Sequence, residues 1–185
     1  AFARQLESDW GVALPDYPSL HAFSLNEMEK FWSTVWDFCG VVAETKGERI
    51  LLDGDRMPGA KFFPDARLNF AENLLGRRDD SAAIVFRAED MVERQLTWNE
   101  LYEEVSRLVQ AMRALGVESG DRIAGFVPNC PEAIIAMLAA SSIGAIWTSC
   151  SPDFGIQGVL DRFGQVEPKI LFTADGYYYN GKALD

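Results

Sequence analysis

The sequence predicts an α/β fold: the start of a doubly wound, mainly parallel sheet with flanking helices, preceded by a helical amino-terminal appendage. Three observations carry this reading. From Asp121 onward, short apolar runs alternate with helical stretches in the order strand, helix, strand, helix, strand. The runs are nearly continuous in apolar residues and the turns between them are short, which implies parallel strands joined by right-handed helical crossovers and covered on both faces. Nearer the amino terminus, apolar residues recur at helical spacing instead.

Taking the elements in order, Ser24 and Glu27 match a capping box, after which Met28, Phe31, Trp32, Val35, Trp36 and Cys39 form an apolar stripe ending at Gly40. The spacing predicts one amphipathic helix whose aromatic stripe serves packing. Val41 to Pro64 is broken by Gly47, Gly54, Pro58 and Gly59 and reads as short strands and turns. Pro64-Asp65 is expected to open a second helix with Leu68, Leu74 and Leu75 inward, closed by Gly76 and the charged run after it. The domain boundary is placed there, giving a helical and irregular cap over 1–76 and a sheet domain over 77–185.

In the second part, Ala82 to Arg87 and Val92 to Leu96 are β-prone runs separated by Ala88-Glu89-Asp90-Met91, an antiparallel pair. Thr97 and Glu100 form another capping box, and Leu101, Val105, Leu108, Met112 and Leu115 then line one helix face up to Gly116. Ile123 to Val127 is a buried strand, and Pro131 suits the first position of the helix that follows. Gly144 leads into a strand over 145–149, a helix over 155–165 and a strand over 169–173. In such sheets ligands collect at the carboxyl ends of the strands, which here are the loops 128–131, 150–155 and 174–182.

Composition narrows the function. A formal net charge of -11 repels nucleic-acid phosphates and anionic lipid, so neither nucleic acid nor membrane is an expected partner. Any anionic small ligand must be held by local cations or backbone N–H groups. The amino terminus carries no secretory pattern and the longest apolar stretch, Ala133 to Ala140, is too short for a membrane span. Cys39, Cys130 and Cys150 are widely spaced, with only His21 as an imidazole, so neither a zinc site nor a disulfide framework is expected. The cysteines read as small core residues of a cytoplasmic protein, and His21 as a surface or capping residue.

The chain lacks G-x-G-x-x-G, G-x-x-x-x-G-K-[ST] and G-x-S-x-G, and GDRMPGAK over 54–61 only imitates a phosphate loop before failing at Phe62. No catalytic residue and no metal ligand is assigned. Tyr177, Tyr178 and Tyr179, followed by Asn180-Gly181-Lys182, are a local oddity in the last of the three loops. Their rings could stack a base, or pack the two sides of an ordinary loop.

The segment DRIAGFVPNCPEAIIAMLAASSIG from Asp121, continued by AIWTSCSPDFG, resembles the early core of the adenylate-forming acyl-CoA synthetases. FWSTVWDFCGV, KFFPDARLNFAENLL and LTWNELYEEVSRLVQAMRALGV are similar to the acetate and acetoacetate branch, and Ser151-Pro152-Asp153-Phe154-Gly155 most resembles its acetoacetyl-CoA synthetases. The resemblance implies a ligase in which a carboxylate attacks the α-phosphate of ATP to form an acyl-adenylate and the thiol of coenzyme A then displaces AMP. It implies ATP, Mg2+ and coenzyme A for the whole enzyme, acetoacetate or a related short carboxylate as substrate, and 77–185 as the first part of the AMP-binding domain. The family's ATP phosphate loop, magnesium and ribose ligands and late lysine have no counterpart before Asp185, so this chain is expected to be an amino-terminal part, inactive by itself.

What the resemblance carries over is contact with coenzyme A. Phe154 matches by type a phenylalanine of the family's coenzyme A loop; Tyr179 replaces an arginine near the nucleotide phosphates, and Lys182 retains a cation there. Two alternatives remain: a stand-alone coenzyme A or nucleotide-binding module, and an interaction piece docking through Phe31, Trp32 and Trp36. A sheet ending at its third strand also predicts self-association through an exposed edge.

Overall fold

The computed structural model describes residues 1–89 and 91–184. The chain divides into two compact units, Ala1–Leu68 and Asn69–Asp185.

The first unit holds three helices, α1 (Phe2–Trp10), α2 (Tyr17–Asn26) and α3 (Met28–Phe38), followed by an antiparallel pair, β1 (Leu51–Leu52) and β2 (Lys61–Phe62). Its small core is Leu6, Leu14 and Phe23, with Phe2, Val12, Leu20 and Phe31 packed around it. The expected capping box at Ser24 and Glu27 does not form. Ser24 Oγ donates instead to the His21 carbonyl at 2.7 Å, and the box forms upstream, where Asp16 and Ser19 cap α2 reciprocally. Glu27 then breaks the chain's helical course between α2 and α3. The aromatic stripe does serve packing, with Trp36 4.6 Å from Phe63 and Trp32 5.6 Å from Phe62, ring to ring. Cys39 lies exposed at the end of α3, contrary to its expected place in a core; Cys130 is half-buried and Cys150 buried. His21 is exposed, as expected.

In the second unit the helix expected from Pro64 starts later and is short: α4 (Phe70–Leu74), capped by Asn69, whose side chain accepts from the Glu72 N–H at 3.1 Å. The same side chain donates to the Ser141 carbonyl at 2.9 Å. Leu75 is buried while Leu68 and Leu74 are not. An antiparallel pair follows, β3 (Ala82–Ala88) and β4 (Val92–Thr97); Asp90 of its connection lies outside the described residues. Helix α5 (Trp98–Ala114) begins at the predicted capping box, with Thr97 Oγ1 accepting from the Glu100 N–H and Glu100 accepting from the Thr97 N–H.

The sheet is three parallel strands in the order β6 (Ile146–Cys150), β5 (Arg122–Phe126), β7 (Ile170–Thr173), with Phe126 paired to Cys150 and to Thr173. Between them run α6 (Pro131–Ile143) and α7 (Ile156–Val166). Alternate residues of β5 face opposite sides: Ile123 enters the main core with Leu101, Val105 and Met112 of α5 and Leu138 of α6, while Ala124 joins Cys150 and Phe163 of α7. The period-2 geometry of a strand between two helical layers produces this split. Gly125 is required by close approach: a Cβ there would sit 2.6 Å and 2.7 Å from ring carbons of Trp147. The chain ends in an antiparallel hairpin, β8 (Tyr177–Tyr179) and β9 (Lys182–Leu184), where a loop had been expected. Among the described residues no helix is long and apolar enough to cross a membrane.

Candidate functional site

The three parallel strands end on one side of the sheet, and there a cleft of about 890 Å³ opens. Its walls are the three loops that sheet topology points to, after β5, β6 and β7, closed by the end of β3 and by the β8–β9 hairpin.

The loop after β5 turns through Pro128 and Asn129 into α6. Cys130 stands at the amino-terminal cap of that helix and Pro131 at its first position, where a missing N–H costs nothing. Burial pushes the Cys130 thiol up, which favours its protonated form. Burial would also raise Glu132, yet its own backbone N–H, Arg94 and the Cys130 thiol outweigh this and keep its carboxylate below the usual range. Arg94 of β4 is ion-paired with Glu132. This wall therefore presents a neutral thiol and a compensated ion pair.

The loop after β6 is folded on itself. Ser151 Oγ donates to Asp153 Oδ2 at 2.8 Å, and the Phe154 N–H donates to the Ser151 carbonyl at 3.2 Å. The other oxygen of Asp153 accepts from the Tyr177 hydroxyl at 3.1 Å, so this loop and β8 are tied together. Partial burial, followed by the hydrogen bond and the negative charge of Asp153, raises the Tyr177 phenol above its ordinary value and leaves it a neutral donor at physiological pH.

Of the three residues expected to contact coenzyme A, only Tyr179 lines the cleft. It lies on the hairpin directly across from Lys182, which is outside the cleft lining. Phe154 stands outside the cleft lining, in the loop just before α7, 40% exposed, with the Arg162 guanidinium 3.8 Å from its ring centroid. That cation–π contact fixes the ring and places a positive charge beside this loop. Arg162 is a residue the sequence reading missed. Its spacing from Phe154 is no motif, and the contact is visible only once the chain turns from loop into helix. Among the described residues there is no group of three or more His, Cys, Asp or Glu side chains that could hold a metal ion.

The model of the AMP-binding enzyme family matches residues 70–184, and that of the acetyl-coenzyme A synthetase N-terminus matches 17–74. An acetoacetyl-coenzyme A synthetase of Rhizobium meliloti (strain 1021) is 55% identical over 182 residues, covering 96% of this chain and 28% of that protein. The acetoacetyl-CoA synthetase of Danio rerio is 39% identical over 187 residues, covering 100% and 28%. A malonamoyl-CoA synthetase of Penicillium aethiopicum is 39% identical over 189 residues, covering 98% and 26%. The structure of an acetoacetyl-CoA synthetase from Streptomyces lividans superposes with a TM-score of 0.93 at 44% identity, over 100% of this chain and 29% of that one. The chain thus spans little more than a quarter of the length of the relatives it matches.

Proposed function

Because the chain belongs to the AMP-binding enzyme family, we propose that it supplies part of the scaffold and one wall of the coenzyme A site of an acid–thiol ligase that makes acetoacetyl-CoA. The ligase consumes acetoacetate, ATP and coenzyme A. ATP converts the carboxylate into an acyl-adenylate, giving AMP as a good leaving group, and the coenzyme A thiol then takes the acyl group. The substrate assignment rests on relatives named acetoacetyl-CoA synthetases, and malonamoyl-CoA synthetase among them keeps related short carboxylates within the same class.

The observation that carries the reading is the cleft at the carboxyl ends of β5, β6 and β7, lined by Tyr179, with Lys182 paired to Tyr179 across the β8–β9 hairpin. Lys182 offers a point charge with rotatable donors to a phosphate, Tyr179 a ring to stack and a hydroxyl to donate, and Phe154 with Arg162 a fixed apolar and cationic corner. Local cations of this kind are what an anionic cofactor needs on a chain of net charge -11. The edges of the sheet, β6 and β7, carry the exposed Ile146 and Leu171, which favours self-association of the chain when nothing covers them.

Calorimetric titration of coenzyme A into the chain tests the reading. Saturable heat that Lys182→Ala weakens several-fold, and that rising salt weakens in parallel, supports it. No heat at millimolar coenzyme A sinks it.

A further inference from the structure

The β8–β9 hairpin is too short to stand alone. Each strand has three residues, and isolated two-stranded hairpins are marginal in water even when longer. Something must hold it at the rim, and a residue distant in sequence does. Glu89, immediately after β3, directs one carboxylate oxygen to the Asn180 N–H at 2.7 Å and the other to the Gly181 N–H at 2.6 Å.

The geometry on both sides is specific. Asn180 and Gly181 are consecutive left-handed residues, with φ of 51° and 71°, the pattern of a tight hairpin turn. Successive N–H groups in such turns can converge into a concavity that suits an anion. Glu89 itself has φ of 45°, where asparagine or glycine would be less strained. A glutamate kept there at that cost contributes through its side chain, and the hydrogen bonds are of the charge-assisted kind. Glu89, Tyr177 and Tyr179 all line the same cleft.

We infer that Glu89 is a positioning residue whose carboxylate fills the anion-binding turn between β8 and β9 and so clamps the hairpin that carries Tyr179 and Lys182. The inference extends the coenzyme A reading above and rests on it for its functional consequence. Together with the Tyr177 to Asp153 bond it holds the hairpin from two sides, one from β3 and one from the loop after β6.

Residue-resolved amide hydrogen exchange on the whole chain tests the clamp without any ligand. Glu89→Ala is expected to speed exchange at Asn180 and Gly181 by about tenfold, the effect of losing roughly 1.4 kcal/mol of hydrogen bonding, with β5 amides unchanged. Sodium acetate should restore protection in that variant, a small carboxylate replacing the missing one, while sodium chloride at equal ionic strength should not. A residue that merely fills space would show no such rescue. Glu89→Gln, which keeps one acceptor oxygen, should fall between the two and guards against misfolding of the alanine variant. Coenzyme A should bind the alanine variant several-fold more weakly and recover with acetate. Unchanged exchange in both variants, or acceleration that acetate does not reverse, overturns the clamp. Loss of protection with acetate rescue in a chain whose wild type binds no coenzyme A would uphold the clamp and sink the coenzyme A reading alone.

Discussion

The floor of the cleft and its rim are made of the same chain by different physics. The floor is β5 with α5 and α6 beneath it, where Ile123 and Met112 are almost wholly buried and side chains interlock. The rim is the loop after β6 and the β8–β9 hairpin, where Phe154 and Tyr179 are exposed and position is set by a few polar contacts: Tyr177 to Asp153, Glu89 to the hairpin turn, Arg162 over Phe154. Burial is worth kilocalories per side chain, whereas an exposed hydrogen bond is worth little after its exchange with water. The floor should therefore govern whether the chain folds, and the rim what it binds.

The largest effect expected from that division is at Ile123. Replacing it with alanine leaves a cavity between α5 and the sheet and should lower unfolding free energy by about 3 kcal/mol, read as a fall in urea midpoint at unchanged slope. Coenzyme A affinity of the folded fraction should stay where it was. A variant that kept its midpoint but lost binding would erase the distinction between floor and rim.

A smaller effect is expected where the floor meets solvent, at the start of α5. Thr97→Ala removes the hydroxyl that accepts from the Glu100 N–H at 3.1 Å and should cost about 1 kcal/mol. The partner contact adds a pH signature. The backbone N–H of Thr97, first, and its side chain, second, hold Glu100 below its ordinary 4.5. A depressed carboxylate stabilises the fold above its unfolded value and loses that contribution as pH falls through the folded one. The urea midpoint should accordingly drop on acidification below 4.5, and less steeply in Glu100→Gln.

The same division explains what was legible in the sequence. The floor follows from local rules that no distant contact opposes. Thr97 and Glu100 cap a helix whose apolar residues recur on one face, and the run from Ile123 can only be a strand between covered faces. The rim escaped. Tyr177 to Tyr179 read as a loop because three residues are too few to carry a strand pattern, although Asn180-Gly181 is a hairpin signal in its own right. Glu89 and Arg162 had no signal, since one acts across 91 positions of sequence and the other through a turn. In the first unit the failure was one of competition: Ser24 and Glu27 satisfy the capping pattern, but Asp16 and Ser19 had already opened a helix whose carbonyl at His21 takes the Ser24 hydroxyl.

The smallest expected effect on stability is at Tyr177, and it is the sharpest test of the comparison. Tyr177→Phe removes one hydroxyl and leaves the ring, so the hairpin keeps its strand pairing, its apolar contacts and the Glu89 clamp. What is lost is the donor to Asp153, the direct tie between the hairpin and the loop bearing Phe154. The urea midpoint should not move measurably, while coenzyme A affinity falls several-fold because two parts of the rim no longer hold a common position. The pH dependence has a definite sign. The phenol is raised above its ordinary value of 10.0, so the tie is intact below that pH and is lost as pH rises through the folded value and the donor proton leaves. Wild-type affinity should thus weaken in strong alkali toward that of the phenylalanine variant, whose own affinity lacks this step. A midpoint shift as large as that of Ile123→Ala would mean that the rim, too, is held by packing.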